Sequence, residues 1–302
     1  MTRPKLEVVR GLCYSGYRNG QSPELGILPS YDEVKEDLLL LRDDWRSLRL
    51  YASDAHSQTV LEVIRDEALN FTVMLGAYVT AEVDNPECPW GGVYSQQQLR
   101  ENQRHNDTEI AELIRLSNAF SDSVVCVSIG NEAAVSWTDH RVPIPRLIEF
   151  ANRVRNQVTQ PVTFCENYVP WQNELAPLAA VLDIISIHSY PVWEYKSIEE
   201  GLEFTVENYQ SVARAYPDHQ VIITEAGWAT ASNGRGIEPQ QVSEPAQRQY
   251  FEALMQWSER AQVLIYYFEA FDENWKGSAH PLEPEKHWGL YRADRTPKLA
   301  LS

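Results

Sequence analysis

Two glutamates close long apolar runs in this sequence: Glu132 ends VVCVSIGNE, and Glu225 ends the QVIITE part of a run over 220–228. A carboxyl pair can break a glycosidic bond, one group protonating the leaving oxygen while the other attacks the anomeric carbon or activates water. Further polar and aromatic residues fall at equivalent positions: Tyr14, Arg49, Tyr51, Tyr78, Asn131, Asn167, His188, Tyr190, Trp228, Glu269, Asp272 and Glu273. Tyr14, Tyr190, Trp228 and Trp275 offer flat apolar faces on which sugar rings stack, while the amides and acids bind hydroxyls. The same residues leave two other readings open. Glu132, His188, Glu225 and Asp272 could ligate a divalent cation, as in metal-dependent barrel isomerases and hydrolases, although no HxH or HExxH pair accompanies them. A non-catalytic glucan-binding module would use the aromatics and hydroxyl-binding groups equally well, but it has no need of both glutamates. Walker A, GxSxG and a strand-end cysteine with a histidine partner are all missing.

The elements that must carry these residues are visible as eight apolar runs, at 6–14, 47–52, 70–79, 124–132, 161–168, 183–190, 220–228 and 263–273. They are continuous rather than alternating, as strands buried on both faces require. Between them, Ser30 opens SYDEVKEDLLLLRDD with Glu33 three residues on, the spacing of a capping box. Segments 101–119, 144–158, 199–215 and 245–259 carry the three-to-four-residue apolar spacing of packed helices. Strands alternating with helices in this number predict an α/β protein, a (β/α)8 barrel in one domain over residues 1–302. The doubly wound alternative lacks its Gly-rich phosphate turn, because GLCYSGYRNG contains no GxGxxG. In such a barrel the fourth and seventh strands face each other across the mouth, which sets Glu132 opposite Glu225. The long irregular pieces at 80–100, 230–244 and 274–290 then become loops of the same face.

The chain has 302 residues, 43% hydrophobic and 23% charged, with a formal net charge of −17. That charge repels phosphate backbones and anionic lipid, so neither nucleic acid nor a membrane surface is expected as a partner, and a neutral substrate fits best. Cys13, Cys88, Cys126 and Cys165 show no CxxC spacing, which argues against a zinc ribbon or a disulfide framework. MTRPKLEVVRGLCYSG holds no apolar stretch of signal-peptide length, and 18 consecutive apolar residues occur nowhere. As written the chain reads as soluble and unexported; an exported or membrane-tethered enzyme whose leader or anchor lies outside this sequence is the other reading.

SIGNEA around Asn131 and Glu132, ITEAGW around Glu225, and FEAFDENWK from Phe268 to Lys276 together resemble glycoside hydrolase family 17, the β-1,3-glucanases and glucanosyltransferases. GLCYSGY, RLY at 49–51, HSYP at 188–191 and HWGLY at 287–291 extend the resemblance over the chain. It implies a retaining double displacement on β-1,3-glucan, with Glu132 as general acid/base, Glu225 as nucleophile, and no metal or other cofactor. Asn131 would then bind the sugar 2-hydroxyl, and Tyr190 would hydrogen-bond Glu225. Tyr14, His188, Trp228 and Trp275 would touch substrate, with Arg49, Glu273, Lys276 and Glu285 as charged support. HSYP departs from plant members, which tend to carry Asn where His188 stands. Two carboxyls about 5 Å apart resist ionising together, so the acid role falls to Glu132, and Lys276 would help keep Glu225 charged. Water or a second sugar can attack the same glycosyl-enzyme, which leaves hydrolysis or transfer, and endo or exo action, open.

Overall fold

A computed structural model describes residues 4–302. Its eight strands are β1 (Arg10–Cys13), β2 (Ser47–Leu50), β3 (Thr72–Gly76), β4 (Val124–Asn131), β5 (Val162–Asn167), β6 (Ile184–His188), β7 (Gln220–Ala226) and β8 (Ile265–Tyr267). Each pairs in parallel with the next, and β8 returns to β1 through Arg10–Ile265, Gly11–Tyr266 and Leu12–Tyr267, so the sheet closes into the expected (β/α)8 barrel. Every predicted run contains its strand, trimmed at one or both ends. Leu6 and Val9, inside the first run, pack against the core without joining the sheet. Leu12, Leu48, Val73, Val127, Ile185 and Ile222 have no exposed surface, as expected of strands covered on both faces.

The helices are α1 (Tyr31–Leu41), α2 (Ala55–Asp66), α3 (Gln96–Ala119), α4 (Ile144–Arg155), α5 (Tyr168–Asn173), α6 (Ala176–Ala179), α7 (Ile198–Ala215) and α8 (Glu244–Ala261). The capping box of α1 is present, with Ser30 accepting from Glu33 N and the Glu33 carboxylate accepting from Ser30 N at 2.8 Å. Helix α2 is absent from the sequence expectations although it has both a cap and an apolar face: Asp54 accepts from Ser57 N at 2.9 Å, and Val60, Leu61, Val63 and Ile64 are buried. Helix α3 starts five residues before the expected position, because Ser95 caps it. The short α5 and α6 also lie outside the sequence expectations.

Gly227 follows the seventh strand where the chain passes against the eighth. A Cβ there would lie 2.0 Å from the Phe268 carbonyl oxygen, so only glycine permits the approach. The C-terminal segment runs back over the start of the chain: Arg295 donates to both carboxylate oxygens of Asp37 in α1, at 2.8 and 2.7 Å, and to the Gly16 carbonyl at 2.9 Å. All four cysteines are free and buried. Among the described residues no helix is long and apolar enough to cross a membrane.

Candidate active site

Glu225 lies near the end of β7 with its side chain only 7% exposed. The guanidinium of Arg49, on β2, donates to its Oε1, and the Tyr190 hydroxyl donates to its Oε2 at 2.5 Å. His188, ending β6, places Nδ1 3.4 Å from the same Oε2. Burial by itself would raise this carboxyl, but the positive charges of His188 and Arg49 with the Tyr190 hydroxyl override it and hold Glu225 down at about 2. Arg49 also donates to Asn131 Oδ1 at 2.5 Å and lies 4.3 Å over the Tyr51 ring. One guanidinium therefore fixes both the Glu225 carboxylate and the amide beside Glu132.

Glu132 is 30% exposed, and its Oε1 meets His188 Nδ1 at 2.8 Å. Donor atoms of Glu132, His188 and Glu225 all lie within 4.8 Å of one another. Burial disfavours the His188 imidazolium, yet the facing carboxylates of Glu225 and Glu132 push it up to about 10. Glu132 itself sits in the left-handed region at φ +44°. His140 touches the same turn, with Nε2 2.9 Å from the Asn131 carbonyl and Nδ1 2.7 Å from Asp139.

A second charged group flanks the pair. Lys276 Nζ lies 2.5 Å from Glu269 Oε2 and 2.8 Å from Glu273 Oε2, and Glu273 Oε1 accepts from Tyr17 N at 3.0 Å. Glu269 and Glu273 are each 1% exposed. Burial and the charges of Glu132 and Glu225 push Glu285 up to about 7 against the opposing Lys276. Half-buried Trp275 packs edge-on against Tyr17 at 5.7 Å and stays at the rim.

Several of the sequence expectations need correction. Tyr14 is 1% exposed and donates to Asp37 at 3.2 Å, so it belongs to the contact between α1 and the barrel rather than to a sugar site. Trp228 has no exposed surface; it packs on Tyr250 at 5.3 Å and donates to the Gln241 carbonyl at 2.9 Å. His188, equally buried, turns its Nδ1 to the two glutamates, at 2.8 Å from Glu132 and 3.4 Å from Glu225, and has no exposed surface to offer a sugar. Lys276 pairs with Glu269 and Glu273, while Arg49 and His188 are the cations at Glu225. Asp272 is not in the four-ligand arrangement considered for a metal, because Lys298 Nζ holds it at 2.7 Å and Gly289 N at 3.0 Å. Glu132, His188 and Glu225 could offer three donors, but Arg49 already neutralises Glu225 and the His188 Nδ1 is already within ion-pair distance of both carboxylates. Glu166 lies outside the expected site residues. It has no exposed surface, and burial beside Glu132 pushes its carboxyl up to about 8 despite amide hydrogen bonds. Its only sequence signal is an acid inside the apolar run PVTFCENY.

A closed parallel barrel that brings two carboxyls within 4.8 Å of each other, one held charged and the other part-exposed, has the arrangement that a barrel glycosidase requires. The sequence model of the BtgE/BtgC glycoside hydrolase domain matches residues 11–289, a span holding all eight strands except the first residue of β1, and the chain belongs to that family. The glycoside hydrolase resemblance drawn from SIGNEA and ITEAGW is borne out. A glucan 1,3-beta-glucosidase of Arthroderma benhamiae is 30% identical over 192 residues, 59% of this chain and 61% of that one. A putative glucan endo-1,3-beta-glucosidase btgC of Aspergillus niger is 25% identical over 294 residues, 89% of this chain and 40% of that one. The chain thus spans less than two thirds of either relative's length. In the solved structure of an endo-laminarinase from Formosa Hel1_33_131 the same fold recurs, with a TM-score of 0.82 at 24% identity over 97% of this chain and 85% of that one.

Proposed function

We propose that this chain cleaves β-1,3-glucan by a retaining double displacement, with Glu225 as nucleophile and Glu132 as general acid/base. The observation that carries the reading is the approach of the two glutamates within 4.8 Å, well short of the about 6.5–9.5 Å that an inverting pair needs to admit a water. The substrate class draws on the glucan 1,3-beta-glucosidase names of its relatives, and a neutral polysaccharide suits a chain of net charge −17.

In the first step Glu225 attacks the anomeric carbon while Glu132 gives its proton to the departing oxygen. Arg49 and Tyr190 hold the two oxygens of Glu225 so that the carboxylate is charged and aimed before substrate arrives. Ester formation removes the Glu225 charge. Glu132, now ionised, takes a proton from water or from an acceptor sugar hydroxyl, which attacks the ester and restores the enzyme. Asn131, fixed by Arg49 through its Oδ1, keeps its amide nitrogen for the sugar 2-hydroxyl.

The test is laminarin digestion without added metal, followed over time for shorter and longer products. Both appear if acceptor sugars compete with water, and only shorter ones if hydrolysis alone occurs. Unchanged laminarin, or activity lost to a chelator and restored by a divalent ion, defeats the reading. The roles separate with azide: Glu132→Ala is expected to give a β-glycosyl azide from activated aryl glycosides, and Glu225→Ala an α-product. Exchanged stereochemistry would reverse the assignment.

A further inference from the structure

The acid/base glutamate stands on a backbone conformation that needs an outside hold. At φ +44° Glu132 lies in the left-handed region, which a β-carbon disfavours. Its side chain, 30% exposed, is tied among the described residues only through His188. The restraint on the backbone comes from β5. Glu132 N donates to the Cys165 carbonyl at 2.9 Å. The next residue of β5, Glu166, turns its carboxylate to the other side of the same bend: Oε2 accepts from Ala134 N at 2.8 Å and from Val135 N at 3.1 Å. Its Oε1 accepts from Asn167 N at 2.7 Å, and the side chain has no exposed surface. A buried carboxyl next to another acid is costly unless it is satisfied by donors, and these three amides are its donors. Two consecutive backbone N–H groups on one oxygen fix the path of the chain immediately after Glu132.

We propose that Glu166 is the positioning residue of Glu132, clamping the turn at residues 132–135 so that the acid reaches the leaving oxygen. The inference rests on Glu132 being the acid/base, and the experiment separates the two ideas. Values of kcat/KM would be measured for Glu166→Ala, Glu166→Gln and Glu132→Gln on laminaripentaose, whose leaving sugar needs a proton, and on 2,4-dinitrophenyl β-laminaribioside, whose leaving group does not. For Glu166→Ala the pentaose value is expected to fall about 100-fold and the aryl value less than about fivefold. Glu166→Gln keeps an amide oxygen for Ala134 and Val135, so a pentaose loss of only about tenfold is expected, and this variant carries the test if the alanine variant does not fold. Equal losses on both substrates, with Glu132→Gln still distinguishing them, would reduce Glu166 to general structural support and overturn the proposal. If Glu132→Gln itself fails to distinguish the substrates, the acid/base reading of Glu132 falls, and the positioning proposal with it.

Discussion

At the scale of single residues, the site is governed by which charges reach Glu225. Arg49 is 2% exposed and bonds the carboxylate directly, so Arg49→Met leaves a buried acid opposed by burial with His188 as its remaining cation. Its pKa then rises from about 2, and the acid limb of kcat/KM moves to higher pH together with a loss of about 10²-fold or more at neutrality. A pH–rate profile with an unmoved acid limb contradicts this account. His188 makes a separate prediction. The Glu225 charge stabilises the fold above its ordinary 4.5 and ceases to do so as pH falls toward about 2. The His188 proton stabilises below 6.5 and ceases to do so as pH rises toward about 10. Both contributions are complete only between those ordinary values, so the Tm gap between wild type and Glu225→Gln should be widest near pH 5–6 and narrow on the alkaline side. A gap flat from pH 5 to 9 would show His188 to be uncharged. The glutamates, Arg49 and Tyr190 were legible as polar ends of apolar runs, but the burial of His188 and Trp228 was not. Strand parity decides which face a residue takes, and the register shifts between Ile187 and His188, and again between Ile223 and Ala226. A run of letters does not reveal such a bulge.

At the scale of elements, what the sequence made legible depends on where each element draws its stability. Helix α1 carries its start signal within four residues, Ser30 to Glu33. Ser30→Ala should lower stability by about 1 kcal/mol, read as a small fall in Tm, while kcat stays unchanged because no atom of the cap touches the site. A loss of kcat equal to that of a catalytic variant would show that α1 positions the rim. The stretch ahead of α3 behaves oppositely. Its order comes from partners far along the chain: Asn85 donates to the Ser136 and Thr138 carbonyls at 2.8 and 2.7 Å, and the Tyr94 hydroxyl to the Asp139 carbonyl at 2.7 Å. Contacts of this kind leave no periodicity, so 80–100 could be expected only as a loop, and the start of α3 was hidden within it. Helix α5 begins on the residue that follows β5, with Asn167 both closing the strand and capping the helix through Val169 N. An apolar run that continues through such a junction conceals the change of element.

At the scale of the whole molecule, one continuous core joins residues from Leu12 to Ala300, and the buried Asp37–Arg295 pair ties the last segment to the first helix. We propose that residues 1–302 behave as one domain, and a single calorimetric transition is the expected result. Arg295→Met strips Asp37 of its bidentate partner and should cost about 3 kcal/mol, lowering Tm without dividing the transition; two transitions would show that the C-terminal segment unfolds independently. The closed sheet also sets an order of events during synthesis. Gly11–Cys13 have one neighbour in β2, but the other edge of β1, at Arg10–Leu12, stays open until Ile265–Tyr267 have been made. At about 5–20 residues per second, that interval is roughly 10–50 s. Throughout it the nascent chain presents an unpaired parallel edge, the kind of surface on which chains join one another. The three residues of β8 therefore close the last open edge of the sheet, and a pause just before they are made lengthens the time for which that edge stays unpaired.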